Sequence, residues 1–434
     1  MLDINFVKNN LEIIKNAVIN KNLTVDVDKL VSLDEQKRKV QQQIDEVGAK
    51  RNELARQAKG EKPSQEAIEA GKKLKEELAE LEKSYKSIDD EFFAIIQQLP
   101  NIPTSDTPIG KDESGNKVIG KFGKIAKMDF KPKEHWEIAE SMGLLDSERA
   151  TKISGSRFVY LKGDIVLLQY ALIQQVLEIL TSEAALEKII TDFKLNVSAK
   201  PFVPVIPPVI VRSDVMQRMA RLEPKDERYH IEIDDLYLVG SAEHALGPMF
   251  MDETLQEENL PVRFVGVSSA FRREAGSYGK DIKGMIRVHQ FEKCEMESFS
   301  LPENSLEEHK LFVAIQETLM RSLDVPYQVV LKCTGDMGTP DARAVDIEAW
   351  FPGQDKYRET HTADYMTDYQ SRRLKTKVKT KSGSIEFIHM NDGTAFAGRT
   401  IAAIIENYQQ EDGSVIVPEV LRKYLAGKEV LKAV

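Results

Sequence analysis

The chain has 434 residues, of which 41% are hydrophobic and 30% charged, and its formal net charge is -10. This length predicts two or three domains, and the negative charge argues against indiscriminate nucleic-acid binding, which depends on excess lysine and arginine. No basic start followed by an apolar run and no apolar stretch of about eighteen residues occurs, so we expect no targeting segment and no membrane span. The two cysteines, Cys294 and Cys333, predict reduced thiols in a cytoplasmic protein.

Two heptad patterns lie in the N-terminal part of the chain, where selected positions step alternately by four and three residues. The first run comprises Leu33, Lys37, Val40, Ile44, Val47, Arg51, Leu54 and Ala58, and the second comprises Leu74, Leu78, Leu81, Tyr85, Ile88 and Phe92. Between them, Gly60 and Pro63 interrupt a helix and Ser64 can cap the next one. The pattern predicts an antiparallel hairpin of two helices, each about 45 Å long if it has roughly thirty residues.

Basic residues gather near the predicted tip of this hairpin. They are Arg51, Arg56, Lys59 and Lys62, with Lys72, Lys73 and Lys75 just beyond the turn. These side chains could contact phosphates. A dimerisation coiled coil or a charged, solvated spacer is also consistent with an isolated heptad hairpin, so the hairpin alone leaves these alternatives open.

A domain boundary is predicted at Leu99-Pro100-Asn101-Ile102-Pro103, because proline lacks an amide donor and restrains the residue before it. The predicted domains are therefore 1–102 and 103–434. In the second domain, strand-like runs alternate with amphipathic helices. These runs are Pro204–Val211, Val262–Phe271, Met285–Phe291, Val345–Phe351 and Ser384–His389. We predict an α+β protein, with an antiparallel helical coiled coil followed by a mainly antiparallel sheet flanked by helices.

A long hairpin is predicted within residues 264–296. Phe264–Phe271 reads as a strand, Glu274–Gly284 as a loop and Met285–Met296 as the returning strand. Strand alternation puts two sets of residues on opposite faces: Arg287, His289, Phe291, Lys293 and Glu295 on one, Ile286 and Val288 on the other. The first face is too charged for a core, and it suits a purine stacked on Phe291 with phosphates held by arginines. A solvated face with one exposed aromatic residue is the alternative.

The segments Phe271–Asp281 and Ile286–Met296 resemble motif 2 (264–296) of the seryl-tRNA synthetases, which are class II enzymes. Gly398–Gln409 resembles motif 3 (394–409), and Ile153–Phe158 is similar to the entry to the family's catalytic domain. Pro207-Pro208 resembles motif 1 (200–210), a dimer-interface element. The N-terminal hairpin occupies the position of the family's tRNA-binding arm. Because the resemblance covers nearly the whole chain, it favours a tRNA-binding hairpin over a dimerisation coiled coil or a solvated spacer.

The resemblance implies an ATP site with Mg²⁺ as cofactor. Arg272 is similar to the arginine that holds the ATP α-phosphate and the amino-acid carboxylate, and Arg399 to the arginine on the γ-phosphate. The full implied set for ATP is Arg272, Arg273, Glu274, Val288, Phe291, Glu359, Thr360, His361, Thr362 and Arg399. Phe291 would stack on adenine, Glu274 would contact its amino group, and the backbone of Val288 would recognise the adenine ring.

Glu359 and Thr362 are the implied Mg²⁺ ligands, and hard oxygen donors suit that ion. Strict strand alternation would put these two side chains on opposite faces, so the resemblance implies a bend or bulge between them. The seven histidines show no paired spacing typical of a zinc site. We therefore expect no zinc dependence.

The implied serine-binding residues are Ser241, Ala242, Glu243, Arg272, Glu295 and Thr394. Glu295 would pair with the ammonium of the substrate, and hydroxyls near Thr394 would recognise the side-chain hydroxyl of serine. Ser241 and Glu243 are expected to face the same way on a strand.

The sequence departs from the family pattern at three places, and these are positions implied to lie around the amino acid and not around ATP. Ser241 stands where threonine is more common. The segment 361–364 reads His-Thr-Ala-Asp where Ser-Ser-Cys-Ser is usual, and 391–394 reads Asn-Asp-Gly-Thr in place of Asn-Gly-Ser. These changes bear on amino-acid selection.

The resemblance implies a homodimer that makes seryl-adenylate and passes serine to the 3′ end of tRNA(Ser), with tRNA(Sec) as a further substrate. From the basic residues near the hairpin tip, we predict Arg51, Arg56, Lys59, Lys62, Lys72 and Lys73 as tRNA-binding residues. One alternative is a paralogue that activates another small amino acid or loads a carrier protein, but the arm from Val31 to Gln98 favours tRNA. Another is a non-catalytic interaction protein, which the presence of Arg272, Glu359 and Arg399 argues against.

Overall fold

The computed structural model describes residues 1–57, 64–275 and 283–434. The chain divides into two compact units, Met1–Ile102 and Pro103–Val434. In the described part of the chain, no single helix is long and apolar enough to cross a membrane. The helices Asp164–Leu180 and Glu183–Asp192 reach that length and composition only as a pair bent by 81°.

The first unit contains four helices in its described residues. They are α1 Ile4–Asn9, α2 Leu11–Asn20, α3 Val27–Gln57 and α4 Gln65–Ile96. The two long helices pack against each other as the predicted hairpin. Ser64 caps α4 by accepting the N–H of Ala67 at 3.2 Å, which confirms its predicted role.

The heptad seam is buried or half-buried along the described hairpin, with the exception of Arg51, which is exposed. Ala58 belongs to the predicted seam but lies outside the described residues. Lys37 is accommodated in the seam because its ammonium pairs with Asp89 and lies 4.8 Å from the centroid of the Phe92 ring. The hairpin is thus held by apolar contacts together with one charged position that has both an ionic and an aromatic partner.

The second unit is a mixture of helices and strands. Its helices are α5 His135–Ser141, α6 Ser147–Ser154, α7 Asp164–Leu180, α8 Glu183–Phe193, α9 Ser213–Arg218, α10 Glu243–Leu246, α11 Ser305–Ser322, α12 Tyr369–Leu374, α13 Gly398–Asn407 and α14 Glu419–Arg422. Its strands are β1 Lys117–Phe122, β2 Leu145–Asp146, β3 Tyr160–Leu161, β4 Val203–Val205, β5 Ile210–Arg212, β6 His230–Ile231, β7 Leu236–Leu238, β8 Thr254–Gln256, β9 Val262–Phe271, β10 Gln290–Ser300, β11 Tyr327–Leu331, β12 Arg343–Phe351, β13 Lys356–Thr367, β14 Lys377–Lys379, β15 Ile385–Phe387 and β16 His389–Ala397.

Eight strands form the central sheet in the order β1-β11-β12-β13-β16-β10-β9-β4. Every neighbouring pair is antiparallel except β4 and β9, which are parallel. One face of the sheet carries Cys294, Met296, Val345 and Ile347, which join a core with helices α7, α11 and α13. The opposite face carries polar side chains. This arrangement confirms the predicted α+β class and the mainly antiparallel sheet.

Two predicted strands are each divided between two sheets. The run 204–211 contributes to β4 in the central sheet and to β5 in a smaller one, with Pro207-Pro208 between them. Proline cannot donate to a strand ladder, which accounts for the break. The run 384–389 is divided in the same way between β15 and the start of β16. The predicted strands at 262–271 and 345–351 are confirmed.

The returning strand of the long hairpin begins at Gln290 and not at Met285, so the predicted alternation over 285–289 is wrong. Backbone groups in this stretch bond elsewhere: Met285 N–H donates to His135 Nε2 at 3.3 Å, and His289 N–H donates to the Arg157 carbonyl at 3.0 Å. Both Ile286 and Val288 are buried. Residues 276–282 of the predicted loop lie outside the described residues, while 274–275 and 283–284 lie outside any strand as expected.

Candidate active site

A cleft with about 630 Å³ of empty volume opens on the polar face of the central sheet. It lies where the β9–β10 hairpin, β13, β16 and the start of α13 meet. Its lining residues are Arg272, Glu274, Met285, Ile286, Val288, Phe291, Lys293, Glu359, Thr360, Thr362, Thr394, Ala397, Gly398 and Arg399. The structure therefore brings together most of the residues that the sequence assigned to one site.

Arg272 and Phe291 form one side of the cleft. Arg272 follows the end of β9, and its Nε donates to the Gly240 carbonyl at 3.0 Å. Its guanidinium carbon lies 5.5 Å from the centroid of the Phe291 ring. This anchoring leaves the other guanidinium nitrogens available for an oxyanion, beside an aromatic ring that can stack on a flat heterocycle.

Arg399 forms the opposite side, in the first turn of α13. Its Nε donates to the Ile286 carbonyl at 3.2 Å, and its Nη1 lies 3.1 Å from Glu359 Oε2. The N-cap residue Ala397 offers no side-chain cap, and Ala397 and Gly398 at the start of this ten-residue helix line the cleft. A helix N-terminus next to an arginine attracts anions.

Glu274 and Val288 occupy the predicted adenine side of the cleft. Glu274 has a positive φ of 52°, and its Oε2 accepts a hydrogen bond from Arg287 Nη1 at 3.0 Å. Arg157 Nη1 donates to its carbonyl at 3.1 Å. Arg273 is exposed, with its guanidinium carbon 6.0 Å from the centroid of the Tyr229 ring, and it is absent from the lining of the described cleft.

A bulge in β13 sets the positions of Glu359 and Thr362. Glu359 pairs with Glu348, and His361 with Ile347, so Thr360 is an extra residue in the ladder. Glu359 and Thr362 consequently both line the cleft, as the predicted bulge requires. The Thr360 hydroxyl donates to the Ile347 carbonyl at 3.1 Å.

His361 lies on the core face, away from the cleft. It is buried beside the Ile347 position, and its Nδ1 lies 2.9 Å from Thr360 Oγ1. Burial lowers its pKa to about 4, so the ring is neutral at physiological pH. His361 belongs to the set proposed for ATP, but its side chain does not line the cleft.

Charges around Glu359 keep its carboxylate ionised. Desolvation in the cleft opposes ionisation, but the positive charges of Arg399, Lys332 and Arg272 outweigh it and lower the pKa of Glu359 to about 2. The side chain remains 45% exposed. An ionised oxygen donor is thus available in the cleft.

A buried polar cluster adjoins the cleft around Glu295 of β10, and its neighbours Lys293 and Thr394 line the cleft. Ser241 Oγ donates to Glu295 Oε2 at 2.9 Å. Lys293 pairs with Glu295, and its ammonium donates to Ser241 Oγ at 3.2 Å. Thr394 lies directly opposite Glu295 in the β10–β16 ladder, and a bulge between Cys294 and Glu295 sets this register. The cluster therefore offers hydroxyl, ammonium and carboxylate groups to a small polar molecule.

Glu243 joins this cluster through Arg221. Arg221 Nε lies 2.8 Å from Glu243 Oε1, and Arg221 Nη2 lies 3.2 Å from Asp392 Oδ2. His244 Nε2 lies 3.3 Å from the same Glu243 oxygen, and burial lowers the pKa of this histidine to about 4. The predicted strand for Ser241 and Glu243 is wrong, because these residues form the turn into α10. Ala242 is buried in a small apolar cluster with Leu246, so its side chain does not face the site.

Several residues of the site were absent from the predicted ATP-binding and serine-binding sets. They are Arg157, Arg221, Met285, Ile286 and Lys293 as site contacts, with Asp364, Asp392 and Glu297 beneath them. Lys293 had a usable signal, since it shares strand parity with Phe291 and Glu295. Arg221 had none, because nothing in its local sequence relates it to Asp392, which is 171 residues away.

The basic residues predicted for the hairpin tip fall into two groups. Arg51, Arg56, Lys72 and Lys73 are all exposed. Lys59 and Lys62 lie outside the described residues.

Two family models match the chain. Residues 1–103 match the seryl-tRNA synthetase N-terminal domain, and residues 228–408 match the tRNA synthetase class II core domain for G, H, P, S and T.

Full-length relatives agree with these matches. The chain is 38% identical over 439 residues to the serine–tRNA ligase of Dictyoglomus turgidum, covering 99% of each chain. It is 39% identical over 434 residues to that of Borrelia garinii, covering 98% of each.

Solved structures give the same result. The seryl-tRNA synthetase of Pyrococcus horikoshii, complexed with ATP, matches with a TM-score of 0.87, 36% identity and complete coverage of both chains. The cytoplasmic serine–tRNA ligase of Naegleria fowleri, in complex with AMP, matches with a TM-score of 0.83 and 29% identity, over 100% of this chain and 99% of the other. The chain belongs to the seryl-tRNA synthetase family.

Proposed function

We propose that this chain activates L-serine with ATP and transfers the seryl group to the 3′ end of tRNA(Ser). The observation that carries the proposal is one cleft that is lined by Arg272, Phe291 and Arg399 and also by Lys293 and Thr394, which adjoin the buried Ser241–Glu295 pair. A nucleotide and a small polar amino acid can therefore lie side by side. The relatives from Pyrococcus horikoshii and Naegleria fowleri are complexed with ATP and AMP, respectively.

The first step joins the serine carboxylate to the α-phosphorus of ATP. An oxygen of the carboxylate forms the new bond while the bond to pyrophosphate breaks and its electron pair leaves with pyrophosphate. Arg272 would bind both the α-phosphate and the carboxylate, and Arg399 would bind the γ-phosphate. Positioning and charge neutralisation account for the catalysis, and no side chain of the protein has to act as the nucleophile.

Adenine would stack on the half-buried Phe291 ring, on the side of the cleft that Glu274 lines. Glu274 is held by Arg287, and its backbone is held by Arg157. These contacts fix an acceptor for the adenine amino group. The backbone next to Val288 would complete the recognition of the base.

Mg²⁺ fits the oxygen donors that line the cleft. The β13 bulge puts the ionised carboxylate of Glu359 and the hydroxyl of Thr362 on the same side of the strand, and hard oxygen atoms are the donors this ion prefers. These two residues would hold the ion, which supplies positive charge to the phosphate chain when bound.

Glu359→Gln should raise the Mg²⁺ concentration needed for half-maximal pyrophosphate exchange by about tenfold or more, because an ionised ligand is replaced by a neutral one. Glutamine can still accept a hydrogen bond from Arg399. Glu348→Gln is the matched control, since Glu348 is the partner of Glu359 on β12 and bonds Gln328. A shift of the same size in both variants would contradict the assignment of Glu359.

Serine would bind with its ammonium near Glu295 and its hydroxyl near Thr394. Ser241 and Lys293 already contact Glu295, so the carboxylate is preorganised. A site built to bond a hydroxyl discriminates strongly against a substrate that lacks it.

The N-terminal hairpin would bind tRNA(Ser), and by the same surface tRNA(Sec), through the exposed Arg51, Arg56, Lys72 and Lys73. We also propose that the chain is a homodimer acting in the cytoplasm. The motif 1 region supports a dimer because Val203, Ile206 and Ile210 are exposed apolar residues there, and such patches favour protein contacts. A monomeric mass by sedimentation would exclude the dimer.

The proposed function is tested by amino-acid-dependent exchange of pyrophosphate into ATP, followed by charging of total tRNA. We expect exchange with serine and formation of seryl-tRNA. Exchange with another small amino acid but not with serine, or transfer to a carrier protein in place of tRNA, would reject the proposal.

A further inference from the structure

Three carboxylates lie side by side beneath the amino-acid end of the cleft. Asp364 of β13 is directly opposite Asp392 of β16, and Asp392 is directly opposite Glu297 of β10. Strand alternation places this row of acids on the cleft face, one step beyond Thr394 and Glu295. Like charges directly opposite each other destabilise a sheet, so the row requires a positive partner or a proton.

Positively charged side chains in the described part of the chain neutralise only part of this row. Arg221 forms an ion pair with Asp392 Oδ2 and a second ion pair with Glu243. Lys293 pairs with Glu295. Among the described residues, neither carboxylate oxygen of the fully buried Glu297 has a hydrogen-bond partner, and the same holds for Asp392 Oδ1 and Glu295 Oε1.

Glu297 lies two residues from Glu295 on β10, so the two side chains share the cleft face of that strand. Burial and the charges of Glu243 and Glu295 raise the pKa of Glu297 well above its ordinary value. Asp364 is only partly buried, so the row is accessible at one end. Serine brings one ammonium and one hydroxyl, fewer donors than this part of the site can accept.

We propose that the pocket also binds and activates a small amino acid with a second amino group, of which 2,3-diaminopropionate is the serine isostere with an ammonium in place of the hydroxyl. This inference rests on the proposed function. The α-ammonium pairs with Glu295, and the second ammonium takes the place of the serine hydroxyl near Thr394, on the side of Asp392 and Glu297, the next acids along β16 and β10. Asp364 and Asp392 fall within the two segments in which the sequence departs from the family pattern.

The chemistry of activation is the same as for serine. A carboxylate oxygen of the diamino acid bonds to the α-phosphorus, and pyrophosphate leaves with the electron pair of the broken bond. The second ammonium is not consumed; it supplies positive charge to the row of acids.

A metal ion is the competing occupant of the acidic cluster. Oxygens of Glu243, Glu295 and Asp392 lie within 4.8 Å of one another. Arg221 and Lys293 already contact all three of these side chains, and the repulsion of a divalent ion by two neighbouring cations favours a singly charged ammonium with several hydrogen-bond donors.

The test is pyrophosphate exchange by the full chain with serine, 2,3-diaminopropionate and alanine, which lacks both side-chain groups. We expect the diamino acid to exceed alanine in kcat/KM by about tenfold or more, the effect of one charge-assisted hydrogen bond. Glu297→Gln should lower the ratio of diaminopropionate to serine activity by a similar factor. Glu411→Gln, the same change at an exposed site, should leave both activities unaltered.

Asp392→Asn, with its melting temperature compared with that of the parent chain, serves as a second variant if Glu297→Gln does not fold. If the chain catalyses exchange with serine, but exchange with the diamino acid is no faster than with alanine, the inference is wrong and the proposed function stands. Exchange with the diamino acid but not serine would support it and reject serine in the proposed function, and no exchange with either would reject both. If Mn²⁺ raises the melting temperature in the absence of ATP, and Glu297→Gln abolishes this rise, the acids bind a metal. That result would overturn the inference.

Discussion

Arg272→Ala should lower kcat/KM for serine-dependent pyrophosphate exchange by about 100- to 1,000-fold, which corresponds to about 2.7–4 kcal/mol of transition-state stabilisation. Arg272 is held by the Gly240 carbonyl, with its guanidinium next to Phe291. Its loss would remove a preorganised charge from the place where the carboxylate and the α-phosphate must approach each other. Two anions would then meet without neutralisation.

Arg422→Ala is the matched control for this change. Arg422 forms an ion pair with Glu429 at 3.3 Å and does not line the described cleft. We expect this variant to retain exchange activity within about threefold, because the partly buried Arg422 side chain lies outside the cleft. If Arg272→Ala also stays within threefold while its melting temperature is unchanged, the assigned role of Arg272 is wrong. Arg272→Lys would show how much of the effect depends on bidentate geometry.

Removal of residues 38–87, with the ends joined by a short Gly-Ser turn, should abolish charging of tRNA while adenylation continues. The two ends can be joined because Lys37 and Asp89 form an ion pair across the hairpin. We expect tRNA charging to fall by about 1,000-fold or more, as several phosphate contacts are lost together. Serine-dependent exchange should stay within about threefold, because every residue that lines the described cleft belongs to the second unit.

A charge-reversal variant separates the length of the hairpin from the charge at its tip. Arg51→Glu, Arg56→Glu, Lys72→Glu and Lys73→Glu together keep both helices, because these side chains are exposed. Charging should weaken and should depend less on salt concentration than in the parent chain. Normal charging by the shortened chain would exclude the hairpin as the tRNA-binding element.

The sequence by itself determined the features that depend on local periodicity. Heptad steps predicted the helical hairpin, and Ser64 predicted the start of its second helix. The motif resemblance, together with strand alternation, also implied the β13 bulge, since Glu359 and Thr362 could share a face only if one residue between them was extra. These predictions succeeded because each involved residues a few positions apart, where backbone geometry alone fixes the relation between side chains.

Only the tertiary structure decided which residues meet across strands. The returning strand begins at Gln290 because Met285 and His289 bond to His135 and Arg157 from distant segments. The bulge turns His361 into the core, although the resemblance had assigned it to ATP. The row formed by Asp364, Asp392 and Glu297 depends on the register of three strands. Register is set by long-range pairing and packing, so a sequence pattern cannot bring such acids together or show that, among the described residues, the Glu297 carboxylate has no hydrogen-bond partner.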